Sequence, residues 1–387
     1  MSALAFIGVF FVSVFFAWGF NRLTLVPWRR AAGLHWTERA RSLYPARRAA
    51  SLTVFLIPFF FALVHVLLLP RHPLLVLATA CAAWAGALLG QYPFESLLYP
   101  WLNFRSWLFF VSTGWLLRLV LWLPIVAAAI LMPNKLGWLA WAMVAGVGAL
   151  LTAFNCGAGL WLCRWLHLIL PPPEQVQRIV TATAGRMQVK VRKLWLMRGA
   201  TANAVAFPTT HELVFTERLL AVCTDEELAA ICGHELGHLT ESPWTVAGRL
   251  LAALAVLPWL FIQPAIASKN PYALMLVGFS SLSILWLGRR LARRMEVRAD
   301  RVAVTHSDPV IYTRALEKIY EANQLPVVMP GKRQIHPHFY DRMLAAGLTP
   351  AYPRPAPPSQ WLYGVLVLLL VLLVMALVFA TNFFAAR

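Results

Sequence analysis

Apolar runs of membrane-spanning length recur along this sequence, and they constrain its fold more than any other feature. A helix needs about 20 predominantly apolar residues to cross a hydrocarbon core of about 30 Å. Hydrophobic residues make up 60% of the 387 residues, whereas a soluble domain has about 45–50%. The runs lie at residues 4–20, 52–69, 74–89, 107–131, 136–170, 250–267, 272–287 and 361–379. We therefore predict a mainly α-helical, multi-pass membrane protein with about eight spans.

The basic residues are distributed unevenly between the predicted loops. The chain has a net charge of +18, and such a charge can also indicate nucleic-acid binding. The loop between the first two spans contains Arg22, Arg29, Arg30, Arg39, Arg41, Arg47 and Arg48. The turns after spans two, four and six contain one basic residue each, namely Arg71, Lys135 and Lys269. Because cytoplasmic loops accumulate Lys and Arg, this pattern predicts membrane orientation and no nucleic-acid partner.

The orientation of the first loop sets the orientation of the rest of the chain. With residues 22–48 in the cytoplasm, residues 171–246 and 291–359 fall on the same side, and both chain ends fall outside. The composition is rich in Ala, Leu, Arg and Trp, which favours a bacterial inner membrane. The lipid bilayer is therefore an expected partner.

A proline cluster at 171–173 separates the mostly apolar first part of the chain from a more polar segment. It should end the fifth helix, since proline lacks a backbone donor, and β-prone runs at 189–197, 202–207 and 213–216 then predict a small meander. The predicted domains are an N-terminal membrane domain (1–170), an α+β domain in two parts (171–249 and 289–347), a transmembrane hairpin that interrupts it (250–288), and a Pro-rich linker with the last span (348–387).

A His-Glu-Leu-Gly-His motif at residues 234–238 carries the clearest chemical signal. A capping box, Thr224 with Glu227, precedes it, so the motif should lie on a helix. Histidines four residues apart, His234 and His238, share one helix face and can bind one zinc ion. Glu235 is placed as the general base for a water whose pKa such a metal lowers to about 7. The motif predicts a zinc metalloendopeptidase with a peptide or protein substrate.

A catalytic zinc site needs a third protein ligand, and two downstream carboxylates are candidates. The pattern with a third histidine fails, because Glu241 and Trp244 stand where it requires Gly and His. We favour Glu296 over Glu241, because a ligand from a second helix can complete a tetrahedron. Asp300, one turn after Glu296, can accept the second N–H of a ligand histidine. Without the histidines, both carboxylates would be interpreted as salt-bridge partners of nearby arginines.

The metal helix is one of several blocks that resemble a single family. Residues 203–207, 226–238 and 296–300 resemble the strand, the metal helix and the third-ligand segment of the integral-membrane gluzincins. This family includes the type I CAAX prenyl proteases and the HtpX-like heat-shock proteases. The segment from His336 to Arg342 is similar to a further block, and the hairpin is also a family feature. Val205 stands where the family has an aromatic residue.

The resemblance implies roles for residues that spacing alone does not assign. It implies an edge strand that binds an extended substrate through main-chain hydrogen bonds, formed by Asn203, Ala204, Val205 and Ala206. It also implies a gluzincin-type fold with one Zn²⁺ per chain. His336 or Arg342 is expected to stabilise the oxyanion that forms when water adds to the scissile carbonyl.

Three other functions stay open on the sequence alone. A catalytically inactive, zinc-bearing membrane scaffold would keep the metal ligands but would not need Glu235. A CAAX-type processing protease with a narrow substrate range would carry the same residues as a protease for misfolded membrane proteins. A transporter is the third alternative, because Arg118 lies within an apolar span and charges there often serve function.

Overall fold

The computed structural model of the chain describes residues 3–69, 72–331 and 335–385. Within these residues, eight helices are long and apolar enough to cross a membrane, which confirms the prediction of about eight spans. Arg71, the basic residue of the second turn, lies outside the described residues.

Helices dominate the described residues, and four short strands accompany them. The elements are α1 (Ala3–Thr24), α2 (Val26–Arg30), α3 (Trp36–Leu68), α4 (Pro73–Leu89), α5 (Tyr92–Leu98), α6 (Phe104–Leu131), α7 (Trp138–Ala153), a π-helical turn (Phe154–Ala158), α8 (Gly159–Trp165), β1 (Ile169–Leu170), α9 (Glu174–Met187), β2 (Lys193–Met197), β3 (Ala204–Phe207), β4 (Glu212–Thr216), α10 (Glu217–Val222), α11 (Asp225–Leu239), α12 (Pro243–Ala253), a 3₁₀ segment (Leu254–Phe261), α13 (Ile262–Ala267), α14 (Pro271–His306), α15 (Pro309–Ala322), α16 (Phe339–Ala345) and α17 (Trp361–Ala385).

The first of two compact units comprises residues 1–107, 324–332 and 353–387, as far as these are described. Within it α1 packs against α3 and α4, and α3 packs against α4 and α17. A Cβ on Gly86 would collide with the backbone oxygen of Phe10, so glycine permits the close approach of α1 and α4. His65 and Thr79 form a buried hydrogen bond of 2.7 Å between α3 and α4. This unit is a helical membrane bundle.

The second unit, residues 108–323 and 333–352 as far as described, contains a mixed sheet in the order β1-β2-β4-β3. β2 and β4 are parallel, while β3 pairs antiparallel with β4. The predicted meander is therefore wrong, because consecutive strands of a meander are antiparallel neighbours. The chain instead crosses from β2 to the far side of β4. There the side chain of Asn323 holds the backbone of Ala202 through hydrogen bonds of 2.9 and 2.7 Å.

The fifth spanning helix ends before the proline cluster that was expected to stop it. α8 ends at Trp165, and His167 adopts a left-handed φ of 54°. Ile169 and Leu170 then pair with β2 as strand β1. The prediction of a helix that continues to residue 170 is thus wrong. The backbones of Ile169 and Leu170 form hydrogen bonds to β2 instead of helical hydrogen bonds. Both residues therefore belong to the sheet.

A single helix joins the membrane hairpin to the predicted third ligand. α14 runs for 36 residues, which is about 54 Å at 1.5 Å per residue. Its apolar first part continues without a break through the arginines at 289–294 to Glu296 and Asp300. The position of Glu296 is therefore coupled rigidly to a membrane-spanning segment.

Close packing fixes α14 against α11, the helix that carries the histidine motif. A Cβ on Gly237 would lie 3.1 Å from Cα of Ala299, so the two backbones touch at this point. Arg298 of α14 donates hydrogen bonds of 2.8 Å to the Gly237 carbonyl and 2.9 Å to the Thr240 carbonyl. These carbonyls belong to the last turn of α11, where backbone acceptors lack helical partners. The end of α11 and the C-terminal quarter of α14 are thereby held together.

Candidate active site

α11 begins with the predicted capping box, which the structure confirms. The Glu227 N–H donates to Thr224 Oγ1 at 3.4 Å, and the Thr224 N–H donates to Glu227 Oε2 at 2.8 Å. Lys318 of α15 adds an ion pair of 2.7 Å to Glu227. The helix packs against α9, α14, α15 and β3. It is therefore held on several sides, and its motif side chains are buried, namely His234, Glu235 and His238.

Three side chains from two helices converge at the motif. Nε2 of His234 lies 3.6 Å from Oε2 of Glu296, and Nε2 of His238 lies 3.5 Å from Oε1 of Glu296. The potential ligand atoms of the three residues all lie within 4.8 Å of one another. Two imidazoles and one carboxylate form a ligand set that catalytic zinc takes in proteins. These three residues could therefore hold a metal ion.

The other ring nitrogen of His234 is engaged by an acidic and a phenolic partner. Nδ1 lies 3.1 Å from Oδ1 of Asp300 and 2.9 Å from the hydroxyl of Tyr312. That hydroxyl donates to Asp300 at 2.7 Å. An Nδ1 that donates to a carboxylate leaves the lone pair on Nε2, the atom that faces Glu296.

His238 has a corresponding arrangement on its own Nδ1. This atom lies 2.9 Å from Oε1 of Glu241, and the same oxygen forms an ion pair of 2.8 Å with Arg249 of α12. The Glu241 side chain is completely buried. The structure thus places Glu241 behind His238, whereas Glu296 belongs to the three-residue cluster.

The buried acidic groups favour a positive charge at this site. Burial lowers the pKa of the His234 imidazole, but hydrogen bonds to Asp300 and Glu296 and the charge of Glu235 raise this pKa to about 9. Carboxylates that stabilise a proton on His234 also stabilise a cation bound at Nε2. The two Nε2 atoms, the carboxylate of Glu296 that they face and this negative field fit a divalent metal ion.

Comparisons with known proteins bear directly on this cluster. Residues 172–348 match the model of peptidase family M48. The chain carries an M48 peptidase domain. The crystal structure of Ste24p from S. mikatae also matches, with a TM-score of 0.54 and 13% sequence identity, over 88% of this chain and 98% of that chain. The resemblance to membrane gluzincins is confirmed, and the chain is a membrane metalloprotease with a Ste24p-like fold.

Glu235 of the M48 domain follows His234 on α11 and is 8% exposed. Within the described part of the chain, no hydrogen bond or ion pair engages its carboxylate. All the other carboxylates around the motif have partners, namely Glu241, Glu296 and Asp300. A carboxylate without a partner is available to accept a proton, which is what a general base requires.

The two candidate oxyanion donors lie in different surroundings. Nδ1 of His336 lies 2.9 Å from Oε2 of Glu296, and the His336 side chain is 62% exposed. Arg342 is buried, and its guanidinium donates two hydrogen bonds to Asp300, of 2.9 and 2.6 Å. Burial lowers the pKa of Arg342, but Tyr312 and Asp300 hold this pKa above its usual range. His336 thus contacts the cluster directly, whereas Arg342 contacts it through Asp300 and Tyr312.

The strand β3 lies at the end of the sheet and packs against the metal helix of the M48 domain. One edge pairs with β4, with Ala204 opposite Phe215 and Ala206 opposite Leu213. Val205 is 39% exposed, and the Asn203 backbone bonds to the Thr216 hydroxyl at 2.9 and 3.1 Å. The opposite edge has no strand partner in the described sheet, so an extended peptide could pair with it.

Sequence reasoning does not identify Tyr312, Arg249 or Arg298. Each comes from a helix other than α11 and reaches its partner through tertiary packing, which no local pattern records. Tyr312 looks like one more apolar-face residue of α15, and Arg298 is one of many arginines on α14. Arg249 gives no signal either, since a basic residue at the end of an apolar span is the ordinary pattern of membrane helices.

Proposed function

We propose that this membrane metalloprotease is a zinc-dependent endopeptidase that hydrolyses membrane-associated or misfolded proteins at the cytoplasmic face. The observation that carries the proposal is the convergence of His234, His238 and Glu296 beside Glu235, whose carboxylate is unpaired in the described residues. Ligands, base and a nearby strand edge are the parts that peptide hydrolysis needs.

In this proposal, His234, His238 and Glu296 hold the zinc ion. A bound zinc ion lowers the pKa of water to about 7 and polarises a carbonyl oxygen. Glu235 accepts the proton of the attacking water on its carboxylate and then delivers it to the nitrogen of the leaving amine. Burial of Glu235 limits competition from bulk water for that proton.

Asp300 and Glu241 are proposed to orient the two ligand histidines. Each carboxylate accepts the Nδ1–H of one imidazole, which keeps Nε2 unprotonated and directed at the ion. Each carboxylate is in turn paired with an arginine, Arg342 or Arg249. These pairs neutralise the buried charges and hold the carboxylates in place.

His336 is the better placed of the two proposed oxyanion donors, because it lies beside Glu296 and is exposed towards solvent. We expect His336→Ala to lower kcat about 100-fold, the usual effect of removing one such donor, with zinc retained. Arg342→Ala should instead weaken zinc binding about 10- to 100-fold, because Asp300 loses its partner. Turnover of a quenched peptide and zinc content, measured on both purified variants, distinguish the two effects.

His306→Ala is a suitable control for these variants, because His306 is exposed and bonds to the Val302 carbonyl on its own helix. It should leave both turnover and zinc content unchanged. Unchanged turnover in His336→Ala and in Arg342→Ala would remove the support for either residue as an oxyanion donor.

The cytoplasmic placement of the M48 domain rests on the distribution of basic residues. We expect alkaline phosphatase fused at residue 135 or 269 to be active, and the same enzyme fused at residue 199 to be inactive, because it needs export to fold. A fusion at residue 33, in the arginine-rich first loop, is the matched inactive control. Phosphatase activity at residue 199 would contradict the proposed orientation.

The breadth of the substrate range separates the proposal from its alternatives. An edge strand recognises main-chain groups and demands little of the side chains, which favours unfolded or misfolded substrates. The zinc-loaded protein should therefore cleave casein, and a chelator should stop the cleavage. Cleavage restricted to a prenylated CAAX peptide would favour the processing protease. No cleavage of either by the loaded protein would favour the inactive scaffold, in which Glu235 has no role.

The transporter alternative has little support from Arg118. This side chain is exposed on α6, and its guanidinium lies 5.2 Å from the ring of Trp115, a residue of the same helix. The contact with this ring stabilises the cation on its own helix, so Arg118 does not by itself require a transported substrate.

A further inference from the structure

The membrane hairpin of the second unit borders a large groove outside the metal cluster. The groove has a volume of about 1410 Å³ and runs between α14 on one side and α12, the 3₁₀ segment and α13 on the other. Lys135, in the turn between α6 and α7, lies at one end, and Arg290 and Arg294 lie at the other. Between these ends the lining consists mainly of Leu, Ala, Pro, Phe and Ile side chains.

Two glycines set the close packing of α12 and α14 beside Arg290 and Arg294. A Cβ on Gly248 would lie 2.6 Å from Leu291, and a Cβ on Gly288 would lie 2.5 Å from the Ala252 Cβ, so α12 and α14 approach closely there. Both glycines line the groove next to Arg290 and Arg294. The apolar lining of the groove therefore ends at Gly248 and Gly288, and the two cationic side chains, Arg290 and Arg294, follow directly after it.

Arg290 and Arg294 are four residues apart on α14, so both project from one helix face. The guanidinium of Arg290 lies 5.3 Å from the ring of Trp286, one turn earlier, and tryptophan is enriched at the level of lipid headgroups. Within residues 3–69, 72–331 and 335–385, neither arginine has a carboxylate partner. A ligand that complements two unpaired cations at the mouth of an apolar groove has an anionic group attached to apolar chains.

We propose that this groove binds an anionic phospholipid. The phosphate lies between Arg290 and Arg294, which can donate several charge-assisted hydrogen bonds to it, and the acyl chains follow the apolar lining towards Lys135. Basic pockets between transmembrane helices bind lipid headgroups for the same reason. A phospholipid fits better than a prenylated peptide, because its phosphate lies directly beside the acyl chains and can accept hydrogen bonds from both guanidinium groups, whereas the C-terminal carboxylate of such a peptide lies several residues beyond its lipidated cysteine.

Native mass spectrometry of the purified full-length protein tests the proposal, with phosphatidylglycerol and phosphatidylcholine of identical acyl chains as probes. We expect preferential retention of phosphatidylglycerol. The double variant Arg290→Gln/Arg294→Gln should weaken this binding about 10- to 30-fold, given the contribution of two basic residues near an anionic lipid. The matched control Arg289→Gln/Arg293→Gln removes the same charge from neighbouring positions that do not line the groove, and it should retain the lipid.

A second variant tests the position of the acyl chains. Ile284→Trp places a larger side chain in the apolar lining and should also reduce phosphatidylglycerol binding, while an unchanged zinc content shows that the M48 domain is folded. Equal losses in the two arginine double variants would overturn the proposal, since binding would then reflect general surface charge. Equal retention of both phospholipids, or unchanged binding in Ile284→Trp, would overturn it as well.

Discussion

Glu235→Gln should lose almost all peptide hydrolysis and keep its metal. The amide of glutamine cannot accept the proton of the attacking water, whereas the three ligand side chains are untouched. We expect kcat to fall about 100- to 10,000-fold, the range that general-base catalysis contributes. Turnover of fluorescent casein and zinc content by elemental analysis, measured on the same purified sample, give both parts of the result.

Glu226→Gln is the matched control, because Glu226 lies on the same helix but is exposed in its first turn. It should show full activity and full zinc content. Undiminished cleavage by Glu235→Gln would refute the mechanism, and loss of zinc from it would show that Glu235 acts in metal binding.

Glu296→Ala should lose its metal, which is the second large effect. Only the two imidazoles would remain of the ligand set, and a catalytic site with two protein ligands is too weak to retain zinc through purification. Activity should be lost along with the metal. Competition with a coloured chelator gives the affinity, and thermal unfolding with and without added zinc shows whether the apo variant is folded.

Two neighbouring carboxylates provide a ranked comparison for Glu296. Asp300→Ala and Glu241→Ala should retain zinc with an affinity about 10- to 100-fold lower, because each loses an imidazole partner but no ligand. Asp300 should matter more, since it contacts His234, Tyr312 and Arg342 together. Zinc loss in Glu241→Ala with retention in Glu296→Ala would overturn the ligand assignment.

The parts of this protein that were predictable from sequence depend on local chemistry. Membrane spans follow from apolar runs of sufficient length. The start of α11 follows from the capping box, a motif of only four residues, Thr224 to Glu227. His234 and His238 are four residues apart, and helix geometry alone then places both side chains on the same face. The preference for Glu296 over Glu241 needed one further argument: a third ligand from a second helix can complete a tetrahedron around the ion, whereas three ligands on one helix tend to lie in a row.

The parts that could not be predicted depend on contacts between distant segments. The parallel pairing of β2 with β4 depends on where the intervening chain crosses, and Asn323, far along the sequence, holds that crossing. Strand β1 looks like the end of an apolar helix until β2 lies beside it. The ion pair of Arg249 with Glu241 joins a membrane helix to the segment that directly follows α11, and no periodicity in the sequence indicates it.

Because α14 is one continuous helix, the number of residues between its membrane-spanning part and Glu296 is constrained more strictly than the identity of those residues. Each residue of a helix advances about 100° around its axis. A single residue inserted between Gly288 and Glu296 would therefore turn Glu296 well away from His234 and His238, and Asp300 would move with it. The arginines at 289–294 could be exchanged for other helix-forming residues without this consequence. In this segment, an insertion or a deletion is a mutation of the active site even though it changes no active-site residue.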